Sequence, residues 1–215
     1  MLDSLELKIS QWVTANSTST FLCKAPVSIV SVLEAEDLSN RFLVKGVVVA
    51  VSKVSFLVKD DTGMILAYYG TEFPQDLEVG DVVYLRGYIT VYAGTLQFGN
   101  NVGYTIASEE KEVVYGEPIT LDASSFDELL DSTEIKYVEL NAKLQMSGDY
   151  YNLTVEGSEN LGSIVWPTDD DLALADGTNI KLTGYYLYTT GSATKYISFI
   201  ATDLTYEAVV SEPGE

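Results

Sequence analysis

Apolar and polar positions alternate with a period of two along most of this chain, and the same succession of strand-like segments occurs twice. The first succession opens with a β-branched run over residues 42–51, interrupted by Gly46. Residues 55–59 follow, then Asp60-Asp61-Thr62-Gly63, then residues 64–69. This reads as strand, turn, strand, with Asp and Gly supplying the turn chemistry. A polar link containing Pro74 ends at Gly80-Asp81, and residues 82–92 form a long segment with Gly87 inside it. Ala93-Gly94 then turns the chain into residues 95–98. The second succession runs through residues 137–146, 150–155, 163–166, 180–188 and 195–201, with Ser147-Gly148-Asp149, Pro167 and Asp176-Gly177 as punctuation.

The match is anchored where Gly80…Leu85-Arg86-Gly87-Tyr88 meets Gly177…Leu182-Thr183-Gly184-Tyr185, paired positions lying 97 residues apart. A repeat of this length means two copies of one domain. Glycines isolated within strands mark sharp bends or barrel corners, which places such bends at Gly46, Gly87 and Gly184. Asn141 stands near the Gly46 position in the second copy. Five short antiparallel strands, a bent first strand and a turn-rich meander predict an all-β chain of two consecutive five-stranded barrels. A short helix should precede each barrel: one from Ser28 after Pro26 to Glu36, with Ser31-x-x-Glu34 as a capping pattern, and one over residues 125–130 that begins with Ser125-x-x-Glu128. The expected divisions are an extension over residues 1–25, a first barrel over 26–113 and a second over 114–210, with the boundary in the acidic stretch Glu109–Glu117 before Pro118. Within the extension, residues 2–13 fit a helix face and a strand alternation equally, and residues 16–20 read as a polar linker.

These features resemble the OB-fold family, the five-stranded Greek-key barrel. The glycine after Val44-Lys45, the Asp-x-Thr-Gly turn of residues 60–63 and the segment from Gly80 to Gly87 carry the resemblance, which covers about residues 26–208. More narrowly, the two copies resemble OB-type domains of Bacteroidetes envelope and secreted proteins, the second through its Tyr-rich strand and its closing Lys195-Tyr196-Ile197-x-Phe199-Ile200. The resemblance implies a non-catalytic binding or assembly module of the bacterial cell envelope or exterior. It also implies that the helix between strands three and four is reduced to residues 71–77.

Composition narrows the chemistry. The chain has 215 residues, no histidine, one cysteine (Cys23) and a net charge of −20. Ser-His-Asp and Cys-His catalysis are excluded, as are zinc sites built from His or several Cys. Neither a phosphate-binding Gly-x-x-x-x-Gly-Lys loop nor a pattern selecting two facing carboxylates is present, so no enzyme activity is expected. No cofactor is implied. Asp169-Asp170-Asp171 with Asp176 lacks the spacing of a calcium loop and reads as a solvated acidic turn. No apolar run reaches the roughly 18 residues of a membrane helix. The chain opens without a signal peptide, which leaves either a cytoplasmic protein or one whose export signal has been removed.

Acidity is uneven. Residues 1–107 carry 7 Lys/Arg against 11 Asp/Glu, whereas residues 108–215 carry 5 against 21. The basic groups Arg41, Lys45, Lys53, Lys59 and Arg86 accompany Phe56, Tyr68, Tyr84 and Tyr88 on the first barrel. Cations with aromatics on OB strands two and three can grip single-stranded nucleic acid, although the net charge opposes this. The second barrel holds Tyr150, Tyr151, Trp166, Tyr185, Tyr186, Tyr188 and Tyr196. Such rings stack on sugars, fill a protein interface, or complete the core and the barrel–barrel contact. The candidate ligand residues are therefore Lys45, Lys59, Tyr68, Arg86 and Tyr88 on the first barrel and Tyr151, Trp166 and Tyr186 on the second. The ligand classes are a protein partner or glycan, with nucleic acid as the alternative.

Overall fold

A computed structural model of the chain describes residues 25–206, except residues 72, 74–76 and 100–101. The segments 2–13 and 16–20 and Cys23 lie outside the described residues, as does most of the expected helix over 71–77.

The first barrel consists of β1 (Arg41–Val51), β2 (Ser55–Lys59), β3 (Met64–Tyr68), β4 (Asp81–Tyr92), β5 (Thr95–Phe98) and β6 (Gly103–Glu110). Its strand order is β1-β2-β3-β5-β4, and pairing of β1 with β4 closes it. The β3–β5 pair is parallel, and the other pairs are antiparallel. β6 continues the line of β5 along β4, with Arg86 opposite Gly103 and Asp81 opposite Glu110. The second barrel consists of β7 (Ile119–Thr120), β8 (Lys136–Ser147), β9 (Tyr150–Thr154), β10 (Leu161–Ile164), β11 (Asn179–Thr190) and β12 (Tyr196–Tyr206). Its order, β8-β9-β10-β12-β11 closed by β11–β8, is the same, and β10–β12 is again its parallel pair. β7 adds a short parallel edge to β8. Two closed five-stranded barrels of OB type thus follow one another.

Two bends depend on the absence of a side chain. A Cβ on Gly46 would lie 2.5 Å from Val58 Cγ1 and 2.7 Å from the Lys59 carbonyl oxygen, so β1 crosses β2 more closely than any other residue allows. A Cβ on Gly184 would overlap the Ile200 carbonyl. The counterpart of Gly46 in the second copy is Ala142, one residue beyond the expected Asn141. Gly46 faces Val83, and Ala142 faces Ile180, 97 residues on from Val83.

Each barrel is plugged by a helix that precedes its first long strand. Helix α1 (Ile29–Leu33) buries Ile29 and Val32 completely, and α2 (Ala123–Glu128) buries Phe126. The first starts at Ser28 as expected, with its cap there and not at Ser31-x-x-Glu34, and the second starts at Asp122, three residues before the expected Ser125. The Ser28 hydroxyl accepts from Ser31 N, and Asp122 accepts from Ser125 N while Ser125 Oγ accepts from Asp122 N at 2.9 Å. Polar residues three apart present two equivalent caps in sequence, and the chain uses the earlier one in both helices.

An aspartate ties each plug to the hairpin beneath it. In the first barrel the hairpin supplies it. Asp60 Oδ2 accepts from Ile29 N at 2.8 Å, while Oδ1 accepts from Thr62 N, Thr62 Oγ1 and Gly63 N. Partial burial opposes its charge, but these hydrogen bonds hold the carboxyl below its ordinary range. In the second barrel the helix supplies it, with Asp127 Oδ1 accepting from Ser158 Oγ at 2.5 Å and Asn160 Nδ2 at 2.9 Å.

Besides the two barrel cores there is a third apolar cluster, in which the barrels meet. Val49 and Ala50 of β1, Leu57 of β2 and Leu66 of β3 pack against Tyr185, Leu187 and Ile200 of β11 and β12. The connection over 111–118 joins this contact through Val113 and Tyr115. Tyr115 stacks on Tyr137 at 5.3 Å, and its hydroxyl donates to the Val49 carbonyl. Lys53 N donates to the Trp166 carbonyl at 2.8 Å, and Lys53 Nζ pairs with Asp170 at 2.6 Å.

Candidate functional site

Strand alternation sends the side chains of β1–β3 either into the first barrel or out of it, and the outward set meets two fates. Leu57 and Leu66, outward on β2 and β3, are sealed beneath the second barrel, with at most 2% of their surface exposed. The face on which sequence reasoning placed a nucleic-acid grip is therefore covered along its middle. Phe56 points inward and is fully buried. Tyr68 is half-buried at the margin of the contact, near enough to raise the Tyr188 hydroxyl after burial and Tyr92 have done so.

The neighbouring face stays open. On β4 the residues between the core positions Val83, Leu85 and Ile89 point outward: Tyr84, Arg86 and Tyr88. Cross-strand pairing sets Arg41 beside Tyr88, Leu43 beside Arg86 and Lys45 beside Tyr84. Lys59 ends the same outward row, next to Val47 on β1. The Arg41 guanidinium lies 5.0 Å from the centre of the Tyr88 ring, and Lys45 Nζ lies 5.2 Å from that of Tyr84. Both are within cation–π range. Lys45 also pairs with Glu109 of β6 at 2.5 Å, which raises the ammonium group and lowers the carboxyl from their ordinary values. From Arg41 to Val47 the strip runs about 20 Å at the rise of a strand.

Four of the five candidates on the first barrel, Lys45, Lys59, Arg86 and Tyr88, share this face, and Tyr68 does not. Arg41 and Tyr84 complete it. Both types were visible in the sequence, but only the β1–β4 register shows that Arg41 meets Tyr88 and Lys45 meets Tyr84.

Most tyrosines of the second barrel are spent on structure. Tyr186 is fully buried, and its hydroxyl lies 2.9 Å and 2.7 Å from the carbonyls of Leu129 and Ser132. It anchors the plug to β11 and is withdrawn from the ligand candidates. Tyr185 tilts against Tyr137 at 4.9 Å within the barrel contact, and burial raises its hydroxyl. Tyr188 meets Tyr92 of the first barrel edge-on at 5.0 Å. Tyr151 is half-buried against its own core. Only Trp166, 47% exposed, and Tyr150, 65% exposed, offer open rings. Trp166 has φ +45°, a left-handed conformation that a bulky residue seldom adopts.

Protein groups already engage the acidic turn. Asp169 accepts from the Tyr206 hydroxyl at 2.6 Å, Asp170 pairs with Lys53, and Asp176 accepts from Met146 N. The contact with Asp169 pushes Tyr206 up to about 12. Among the described residues no group of three or more acidic or thiol side chains is placed to hold a metal ion, and no helix is long and apolar enough to cross a membrane.

No protein-family model matches the chain, and no curated protein does. Solved structures similar to it include these two. A replication protein A heterotrimer bound to ssDNA shares 12% identity at a TM-score of 0.37, over 86% of this chain and 52% of that one. The tetrameric p202 HIN2 shares 13% identity at a TM-score of 0.34, over 82% of this chain and 100% of that one. The chain thus spans about half the length of the first. The OB-type assignment rests on the strand order and closure of the two barrels.

Proposed function

We propose that the chain is a non-catalytic binding module that takes single-stranded nucleic acid on the outer β1–β4 face of its first barrel. The observation that carries this reading is the pairing of Arg41 with Tyr88 and of Lys45 with Tyr84, with Arg86 between them. Alternating cations and aromatic rings suit a strand that offers phosphates and bases in turn. The net charge of −20 makes the interaction local and weak, since phosphates approaching from any other side are repelled within a Debye length of about 8–10 Å. The glycan reading has lost most of its rings to the core and to the barrel contact. A setting in the bacterial envelope or outside it belongs to the proposal on the strength of the resemblance alone.

Fluorescence anisotropy with a labelled oligothymidylate at low salt tests the reading. Binding should weaken with salt at a log–log slope of about −2, from about 0.7 per phosphate at three cations. It should vanish in the variant carrying Arg41→Glu, Lys45→Glu and Arg86→Glu. No binding at low salt, or equal binding by that variant, sinks the proposal.

A further inference from the structure

The two copies treat the seam beyond their third strand differently. In the first barrel a quartet of rings fills it: Phe56, Tyr69, Phe73 and Tyr104, with neighbouring centroids 5.5–6.2 Å apart. The repeat gives their counterparts. Trp166 stands 97 residues after Tyr69. Tyr104 faces Leu85, and 97 residues beyond Leu85, Leu182 faces Leu204. So leucine replaces one ring, and the tryptophan that replaces another turns to solvent through its left-handed backbone.

What opens in the second copy is a cleft of about 200 Å³. Its apolar wall is Val165, Ile200 and Leu204, with Val51 of the first barrel as the far side. Asp169, Thr202 and Asp203 line its polar side. The volume falls below the roughly 300–1,000 Å³ of sites for whole small molecules, and it suits one long side chain. Among the described residues the cleft also lies along an open sheet edge. The β10 ladder on β12 ends with Val165 N donating to the Phe199 carbonyl, after which Trp166 and Pro167 lead the chain away. Beyond that point β11 is the strand partner of β12.

The charges choose the occupant. Asp169 is held in place by the Tyr206 hydroxyl and by Asp171 N. Asp203 is exposed, and among the described residues no hydrogen-bond or ion-pair partner is found for it. Lys53, the cation beside the acidic turn, is engaged by Asp170. We infer that this cleft is a docking site for an extended segment of a protein partner, which lies along the β12 edge and inserts a lysine or arginine side chain. The apolar wall covers the alkyl stem, and the Asp203 and Asp169 carboxylates meet the charged head. Backbone pairing along an open edge with pockets for alternate side chains is an established way to read an extended peptide.

The probe is a seven-residue peptide alternating Val and Arg, titrated into the full chain and followed by amide chemical shifts. Shifts should gather at residues 165–169 and 201–205. Asp203→Asn should weaken binding by up to about fivefold, as expected for removing one partner of an exposed charge pair. Leu204→Tyr, which restores the ring the first copy carries, should abolish binding while the unfolding midpoint is kept. Replacing Arg by Glu in the peptide should also abolish it. Shifts elsewhere, equal binding of the Glu peptide, or undiminished binding by both variants overturns the inference. Oligonucleotide binding should be unchanged in Leu204→Tyr, so the two proposed sites fail independently.

Discussion

In the first barrel the fifth position is shared by β5 and β6, with residues 99–102 between them, and a ring quartet fills the adjacent seam. In the second, β12 runs unbroken from Tyr196 to Tyr206, and the seam is open. The barrels also divide the outside differently. The first keeps a cationic, aromatic face in solvent, whereas the second turns its aromatic face onto the first and carries most of the acidity. One strand order therefore supports two chemistries because it constrains only inward positions. Outward residues and the residue that ends β3 or β10 are free to diverge.

The comparison breaks first if the two cores are unequal. Phe98 faces Ile89, and Phe199 faces Tyr186, 97 residues beyond Ile89; both phenylalanines are fully buried. Phe98→Ala and Phe199→Ala should each cost about 3–5 kcal/mol in urea unfolding. A cost below 1 kcal/mol in either would show that its barrel lacks an organised core. Next in size come the groups that hold the plugs. Tyr186→Phe should cost about 1–3 kcal/mol, since a buried carbonyl loses its donor. Asp60→Ala and Asp127→Ala should each cost about 1–2 kcal/mol and add in the double variant, as the two ties serve separate barrels.

Asp60 also makes a pH prediction. Its carboxyl is lowered in the folded state, so its contribution is complete above the unfolded value of 3.8 and fades as pH falls through the folded value. Urea midpoints measured down this acid range should fall less steeply in Asp60→Ala than in the wild type. The smallest effect belongs to the exposed pair Lys181–Glu139, 3.0 Å apart. Lys181→Ala should leave the urea midpoint indistinguishable from that of the wild type.

The succession of strands, the bends at Gly46 and Gly184 and the short helix before each barrel were legible because period-two alternation, isolated glycines and helix caps leave local marks. The parallel pairs β3–β5 and β10–β12 overturn the expectation that all strands are antiparallel, since pairing between distant strands leaves none. β6 was not legible either. Gly99, Asn100, Asn101 and Gly103 break its approach, and its pairing with β4 is a long-range fact. The same limit governed the site. Residue type marked Lys45 and Arg86, but alternation alone cannot say which outward face another barrel covers. Tyr186 looks like a ligand tyrosine in sequence, and its partners are two carbonyls more than fifty residues away.

The docking of one barrel onto the β1–β3 face of the other decides which surfaces are left for ligands, and scanning calorimetry of the wild type and Leu66→Arg tests it most directly. Leu66 is 2% exposed within the contact, where an arginine would be buried without a counter-charge. The wild type should unfold in one transition whose calorimetric and van't Hoff enthalpies agree, and the variant should unfold in two. Two transitions in the wild type, or a single unshifted one in the variant, would contradict the account.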